Sequence, residues 1–197
     1  VLKKTENENT AKKTKTTKTI HGIEKQTTKE TADQIQQGIA KEILRFHVLA
    51  NSDSEEDQKL KLEVKDRLVD YMKDILDGAE DVKETKKRIT ENQETICLVA
   101  EQEIQKQGYT YPVSVNLEKC YFPMKTYGDC TFPAGTYEAL RVCIGKAKGR
   151  NWWCVLYPGL CFADSVNVIV PDEKKQELKN ILTEEEYESL FDWREDD

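Results

Sequence analysis

Two adjacent tryptophans, Trp152 and Trp153, are the sequence feature that most constrains this chain. They lie within residues 145–164, and large aromatic side chains dominate the energetics of cores and interfaces. In an extended strand, neighbouring side chains point to opposite faces, so one indole can pack in the core while the other faces outward. An outward tryptophan next to a basic loop is typical of a binding hot spot. Core packing of both indoles is the alternative. The basic residues of this loop are Lys146, Lys148 and Arg150.

Charge is distributed unevenly along the chain. The 197 residues carry a formal net charge of −7, but residues 1–38 contain 8 Lys and 5 Asp or Glu. Because phosphate binding needs a basic face, the acidic remainder argues against a nucleic-acid partner. Residues 1–38 also hold few large apolar side chains, and such a segment buries too little surface to offset the entropy of ordering. We predict that they form a disordered Lys/Thr-rich tether, able to make a peripheral contact with a membrane or wall polymer.

The remaining chain divides into a domain and a tail. We predict a single α+β domain over residues 39–170 and an acidic helical tail over residues 171–197, packed loosely on the domain. Thr183 begins a capping box in that tail. No apolar run approaches the roughly 18 residues needed to cross a bilayer. The chain starts at Val1 rather than Met, and we expect that an export or anchor segment has been removed.

Hydrophobic periodicity predicts a strand, two helices and then three strands. The first strand covers residues 43–49, and Ser54 caps a helix with acids in its first turn. Apolar residues at helical spacing continue to Gly78, and a second helix starts at Asp81, with a break near Asn92. After that helix the period changes to two. This order predicts an α+β fold with helices on one face of a small mixed sheet. The later strands are residues 113–122, 137–144 and 152–156.

Six cysteines bear on the chemistry of the chain. None of their spacings is C-x-x-C and the chain has only 2 histidines, so we expect no metal site and no cofactor. An even number of cysteines favours disulfides in an exported protein, and six reduced thiols are the alternative. The predicted pairs are Cys154–Cys161, Cys120–Cys130 and Cys97–Cys143.

Several blocks of residues closely resemble the stage II sporulation protein R family, in the same order as in that family. The first block is RFHVLANSDS at residues 45–54, followed by EDQ at 56–58 and LK at 60–61. The resemblance covers about residues 42–164. The later blocks are Phe122-Pro123, Tyr127-Gly128, Pro133-Ala134-Gly135, ALRV at 139–142, NWWCVL at 151–156 and LCF at 160–162.

The resemblance implies a signalling role in endospore-forming bacteria. Members of the family are made in the forespore and secreted into the intermembrane space between forespore and mother cell. They activate a membrane-embedded aspartic protease of the mother cell, which then processes the sigma-E precursor. Of the three cysteine pairs, the resemblance supports only Cys154–Cys161. We therefore expect a secreted protease activator and not an enzyme.

A binding role needs only a rigid surface, and two surfaces are predicted. The first surrounds the tryptophan pair, and the second lies at the junction between the first strand and the first helix. Residues of the first surface are Arg141, Arg150, Asn151, Trp152 and Trp153. Residues of the second surface are Asn51 and Asp53.

The alternative hypothesis is an extracytoplasmic cell-wall or thiol-dependent hydrolase. Its nucleophile would be Cys154, or Cys161, with His47 as the base, although we interpret His47 as a structural histidine with satisfied hydrogen bonds. A carboxylate pair is a weaker candidate. A third hypothesis is a wall-associated structural domain that binds anionic polymer through residues 1–38. The candidate carboxylates are Asp53, Asp57 and Asp164.

Overall fold

The computed structural model describes residues 31–162 and 169–192, and its α+β architecture confirms the predicted fold class. Residues 31–42 form helix α1. The remaining elements, in chain order, are β1 (Leu44–Leu49), α2 (Glu55–Leu76), α3 (Val82–Glu91), α4 (Gln93–Lys106), β2 (Val113–Phe122), β3 (Lys125–Tyr127), β4 (Cys130–Phe132), β5 (Gly135–Ile144), β6 (Asn151–Tyr157), a 3-10 turn (Leu160–Phe162), α5 (Asp172–Ile181) and α6 (Glu184–Ser189).

Local signals account for the helix boundaries. The Ser54 side chain accepts the Asp57 backbone N–H and caps α2, and Asp81 caps α3 in the same way through Glu84. The break expected near Asn92 separates α3 from α4. No helix in residues 31–162 or 169–192 has the length and apolar character to cross a membrane.

The main sheet has the strand order β2-β5-β1-β6. Strand β1 runs parallel to β5 and antiparallel to β6, while β2 runs antiparallel to β5. Strand β6 therefore lies at an edge of the sheet. Strands β3 and β4 form a separate hairpin that was not predicted, because each has only three residues.

Each face of the sheet has its own core. Helices α2 to α4 cover the first face, where Phe46, Val48 and Leu140 pack against apolar residues of those helices. On the second face, the β3–β4 hairpin packs with α1, α5 and α6 around residues such as Phe122 and Tyr137. The prediction placed helices on one face only. The helices of the additional layer come largely from segments that were predicted to belong to the tether and the tail.

The predicted start of the domain falls inside helix α1, and its predicted end lies directly before α5. Residues 31–38, predicted as part of the disordered tether, are helical, and the following Ile39 is fully buried. Leu178 and Leu190 of the tail are also fully buried, so the tail packs tightly rather than loosely. The capping box at Thr183 is confirmed. Residues 1–30 of the predicted tether lie outside the described residues.

Candidate functional site

Two loops hold the start of β6 in place. The β1–α2 loop, residues 50–54, packs against the β5–β6 loop, residues 145–150, and we refer to them as the loop pair. Asn51 Oδ1 accepts the Lys146 backbone N–H at 2.9 Å, and Asp53 Oδ1 accepts the Arg150 backbone N–H at 2.7 Å. These bonds join two loops almost a hundred residues apart in sequence.

Asp57 ties the loop pair to helix α2. Its carboxylate accepts hydrogen bonds from Asn51 Nδ2 at 2.7 Å and from Ser52 Oγ at 2.5 Å, and the Tyr111 side chain also bonds to it. Burial raises the pKa of Asp57, but these hydrogen bonds outweigh burial and leave the pKa lowered. The Asn51 amide is thus bonded to the protein through both its oxygen and its nitrogen, and the structure gives it a positioning role. Partner binding through Asn51 and Asp53 stays a prediction.

Trp152 points to the first face of the sheet. Its ring meets Phe46 edge-on at a centroid distance of 5.5 Å, and Lys65 Nζ lies 5.1 Å from the indole centroid. The indole is half-buried against the core under α2.

Trp153 points to the second face, as the strand period predicts. It stacks on His47 at 5.0 Å and meets Phe122 edge-on at 4.8 Å. Lys125 Nζ lies 5.9 Å from its ring. Both indoles are half-buried, so the expectation of one core and one outward tryptophan is replaced by a symmetric arrangement in which each packs on one face.

A cleft of about 550 Å³ runs along the outer edge of β6, between α2 and the β3–β4 hairpin. Both tryptophans line this cleft, one from each face of the sheet. Lys73 and Asp70 of α2, Tyr127 of the hairpin and Cys154 also contribute to its walls. The cleft therefore brings together residues from five separate parts of the chain, since the 3-10 turn and residues 169–171 line it as well.

Arg141, His47 and Trp153 form a row across β5, β1 and β6. His47 is 4% exposed, and neither ring nitrogen has a hydrogen-bond partner. Satisfied hydrogen bonds were expected for this histidine from the sequence, and that expectation is wrong. Burial, followed by the positive charges of Arg141 and Arg45, lowers the pKa of His47 to about 4. The imidazole is therefore neutral near pH 7.

The other residues predicted for the first surface lie in two places, on the second face of the sheet and in the loop pair. Arg141 donates to Glu118 at 3.0 Å through Nη1, while its Nε is buried without a partner. Asn151 follows on the same face, and its Oδ1 is also buried without a partner. Arg150 lies in the loop pair, where Lys61 Nζ donates to its carbonyl at 3.1 Å.

All six cysteines are free thiols in this structure. Cys154 and Cys161 are hydrogen-bonded neighbours, and the Cys161 thiol also donates to the Val155 carbonyl at 3.0 Å. Cys97 of α4 lies on the first face, where its thiol donates to the Val113 carbonyl. The three disulfide pairings stay predictions.

The geometry excludes the proposed dyad of Cys154 and His47. Cys154 is opposite Phe46 in the register, one residue away from His47, so the thiol and the imidazole point to opposite faces of the sheet. Burial also raises the pKa of Cys161, the reverse of what an activated nucleophile needs.

The carboxylate hypothesis gains no support from these contacts. Asp53 and Asp57 are engaged in the loop pair, and Asp164 lies outside the described residues. Within the described ranges, no group of three or more His, Cys, Asp or Glu side chains is arranged to hold a metal ion.

Arg45, the most unusual side chain near the cleft, was not among the residues predicted for the site. It is fully buried, its Nε donates to the Cys154 carbonyl at 3.1 Å, and its Nη2 donates to Tyr127 Oη at 2.9 Å. The guanidinium lies 4.4 to 5.8 Å from the centroids of four aromatic rings, which favours its burial by cation–π attraction. The sequence signal that could have identified Arg45 is the position of an arginine among the apolar residues of a strand. The four rings belong to Phe122, Tyr127, Phe132 and Tyr137.

Together, the fold and the site define an α+β domain with a tryptophan-flanked cleft at the edge of a mixed sheet. Comparison with known families gives a match to stage II sporulation protein R over residues 40–167. The stage II sporulation protein R of Bacillus subtilis (strain 168) is 33% identical over 174 residues, which cover 86% of this chain and 76% of the relative. The chain belongs to the stage II sporulation protein R family. No solved structure matches it.

Proposed function

We propose that this protein is a secreted sporulation signal that activates a membrane-embedded aspartic protease of the mother cell. The protease then processes the sigma-E precursor. Membership of the family supports this role, since the same activity is expected of its members. The site of action in this proposal is the intermembrane space between forespore and mother cell.

The observation that carries the proposal is the cleft at the edge of β6 with a tryptophan on each side. Tryptophan is among the residues that contribute most to binding when they border a desolvated pocket. Among the described residues that line the cleft, no nucleophile is paired with a base, so the arrangement favours binding over catalysis. The proposed partner is the protease itself.

Activation requires that this domain bind the active state of the protease more tightly than the inactive state. A ligand can shift a conformational equilibrium only by its differential affinity for the two states. We propose that the loop pair and the two cores serve this purpose by holding β6 and its tryptophans rigid. Preorganisation of this kind reduces the entropy lost on binding.

A reconstitution tests the proposal. The purified full chain is added outside cells that express the membrane protease and the sigma-factor precursor, and processing is followed by the mass shift of the precursor. We expect processing to depend on the added protein. We expect Trp153→Ala to weaken the response by about 2 kcal/mol or more in apparent affinity.

The control is Leu98→Ala, which removes an apolar side chain that is 53% exposed on α4, away from the cleft. This variant should act like the unaltered protein. Circular dichroism checks that each variant is folded. Lys125→Ala is a further variant, which changes a side chain beside Trp153 and leaves the core intact. The absence of processing with folded, unaltered protein would contradict the proposed function.

A further inference from the structure

The cleft has an uncompensated positive charge directly behind its wall. Arg45 is fully buried, and it bonds to two residues that line the cleft, Tyr127 and Cys154. Its Nη1 has no hydrogen-bond partner, and no carboxylate in the described part of the chain forms an ion pair with it. A buried cation without a counter-charge is costly, so an anion brought into the cleft would be stabilised by Arg45.

Tyr127 can transmit this charge to a ligand. Its hydroxyl oxygen accepts a hydrogen bond from Arg45, and among residues 31–162 and 169–192 no acceptor takes the hydroxyl proton. Burial raises the pKa of Tyr127, so the hydroxyl stays protonated and remains a donor. A carboxylate is the acceptor best suited to a donor polarised by a guanidinium.

The other charges that line the cleft are balanced, since Lys65 and Lys73 are matched by Asp66 and Asp70. Lys65 forms an ion pair with its neighbour Asp66. Lys73 on the cleft wall and Lys125 beside Trp153 form no ion pair with a described carboxylate, and Asp70 is the wall residue that opposes them. Because the lining itself is balanced, Arg45 behind the wall and Lys125 beside Trp153 provide the positive excess at this site, and in a chain with a net charge of −7 that excess favours an acidic partner.

The shape of the site selects an extended peptide. Edge strands bind extended segments by strand addition, with side chains of alternate residues entering pockets on either side. The 3-10 turn and residues 169–171 also line the cleft, and the Cys161 thiol takes the Val155 carbonyl, so the part of the β6 edge assigned to a ligand is the part that carries the two tryptophans. Here Trp152 and Trp153 provide a wall on each side of the edge.

We infer that the cleft binds an extended acidic segment of the partner protein, which lies along β6 between the two tryptophans. One carboxylate of the segment accepts a hydrogen bond from Tyr127, with Arg45 behind it. The identity of the partner as the membrane protease rests on the proposed function. The chemistry of the binding site rests on the contacts above.

Binding of synthetic peptides tests this inference. Short overlapping fluorescein-labelled peptides from the extracytoplasmic segments of the protease are titrated with the purified full chain, and binding is followed by fluorescence anisotropy. We expect acidic peptides to bind, and Tyr127→Phe to weaken binding about tenfold, the effect of losing a hydrogen bond to a charged group. Changing the critical acidic residue of the peptide to its amide should weaken binding to the unaltered protein by a similar factor. The same change in the peptide should have little further effect on binding to the Tyr127→Phe variant.

Matched variants separate this effect from a change in folding. Tyr121→Phe removes the hydroxyl of a tyrosine that is exposed and outside the cleft, and it should bind like the unaltered protein. Lys73→Gln changes an exposed cleft residue without affecting the core and should weaken binding, whereas Lys59→Gln, also exposed on α2, should not.

The outcomes distinguish this inference from the proposed function. If the protein supports processing but no acidic peptide binds, or binding ignores Tyr127→Phe and Lys73→Gln, the inference is overturned and the proposed function stands. If acidic peptides bind with the expected dependence but the folded protein supports no processing, the proposed function fails and the chemistry of the cleft stands.

Discussion

His47 is enclosed between Trp153 and Phe122 with neither ring nitrogen hydrogen-bonded. Burial is the main reason that its pKa is lowered to about 4, and Arg141 and Arg45 add to the effect. Such an environment tolerates only the neutral imidazole. Protonation of His47 at low pH therefore disfavours the packing of this row beside the cleft, although the histidine itself makes no polar contact.

We expect the folded state to lose stability as the pH falls from about 6.5 towards 4. The unfolded chain binds a proton near the ordinary histidine pKa, while the folded chain does not until the pKa of about 4. The difference between the two pKa values corresponds to a loss of about 3 kcal/mol in the free energy of unfolding. This loss is absent above pH 6.5. Urea unfolding at about pH 7.5, 6 and 5 measures the loss as a fall in the unfolding midpoint.

The matched variant is His47→Phe, which keeps a ring between Trp153 and Phe122 but cannot be protonated. Its stability should change less than that of the unaltered protein between pH 6.5 and 5. Equal slopes for the two proteins in this interval would contradict the role assigned to His47.

The loop pair is the element that fixes where β6 begins. Its two loops approach so closely that a Cβ on Gly149 would lie 2.1 Å from the Ser52 carbonyl oxygen. A backbone neighbour cannot move aside as a flexible side chain can. Glycine is therefore required at this position by the contact between the loops, not by an unusual backbone angle.

Gly149→Ala should destabilise the fold by about 1–3 kcal/mol through forced separation of the two loops. It should also reduce processing in the reconstitution assay, because the start of β6 carries Trp152 and Trp153. Denaturant unfolding and the processing assay provide the two measurements.

Gly78→Ala is the control for this substitution. Gly78 has a φ of +68°, and a Cβ at this residue would meet no atom within 4 Å, so only the left-handed backbone opposes alanine, at about 1–2 kcal/mol. A stability loss at Gly78 should leave processing by the folded protein unchanged. Undisturbed processing by Gly149→Ala would indicate that the loop pair does not position the tryptophans.

At the scale of the whole molecule, the sheet is held between two cores, and the tail completes the second one. The Thr131 backbone N–H in β4 donates to the Leu190 carbonyl at 2.7 Å, and Lys175 pairs with Asp129 of the hairpin turn at 2.5 Å. The tail thereby holds the hairpin that carries Tyr127. Residues far outside the cleft thus determine the shape of one of its walls.

Leu190→Ala should destabilise the protein by about 2–5 kcal/mol, because it leaves a cavity at a fully buried position. Thermal or urea unfolding measures this loss. The matched control, Leu98→Ala, removes the same side-chain atoms from an exposed position and should cost much less. Similar losses for both variants would mean that the tail does not contribute to the second core.

Much of the secondary structure was predictable because its signals are local. Ser54 and Asp81 cap their helices through side chains that reach only three residues along the chain. The change of period after the helices identified the later strands. The three-residue strands of the β3–β4 hairpin and the helix over residues 31–42 were missed, since neither has a strong local pattern and both depend on packing against the second core.

The sequence by itself determined the α+β class, the family and the placement of Trp152 and Trp153 on opposite faces, because caps, strand period and ordered motifs involve residues close along the chain. Only the tertiary structure decided that β6 is an edge strand and that a cleft lies between the two indoles. It also brought Arg45 to Tyr127, 82 residues away. Contacts over such separations depend on how whole elements pack, and no local pattern of residues records them.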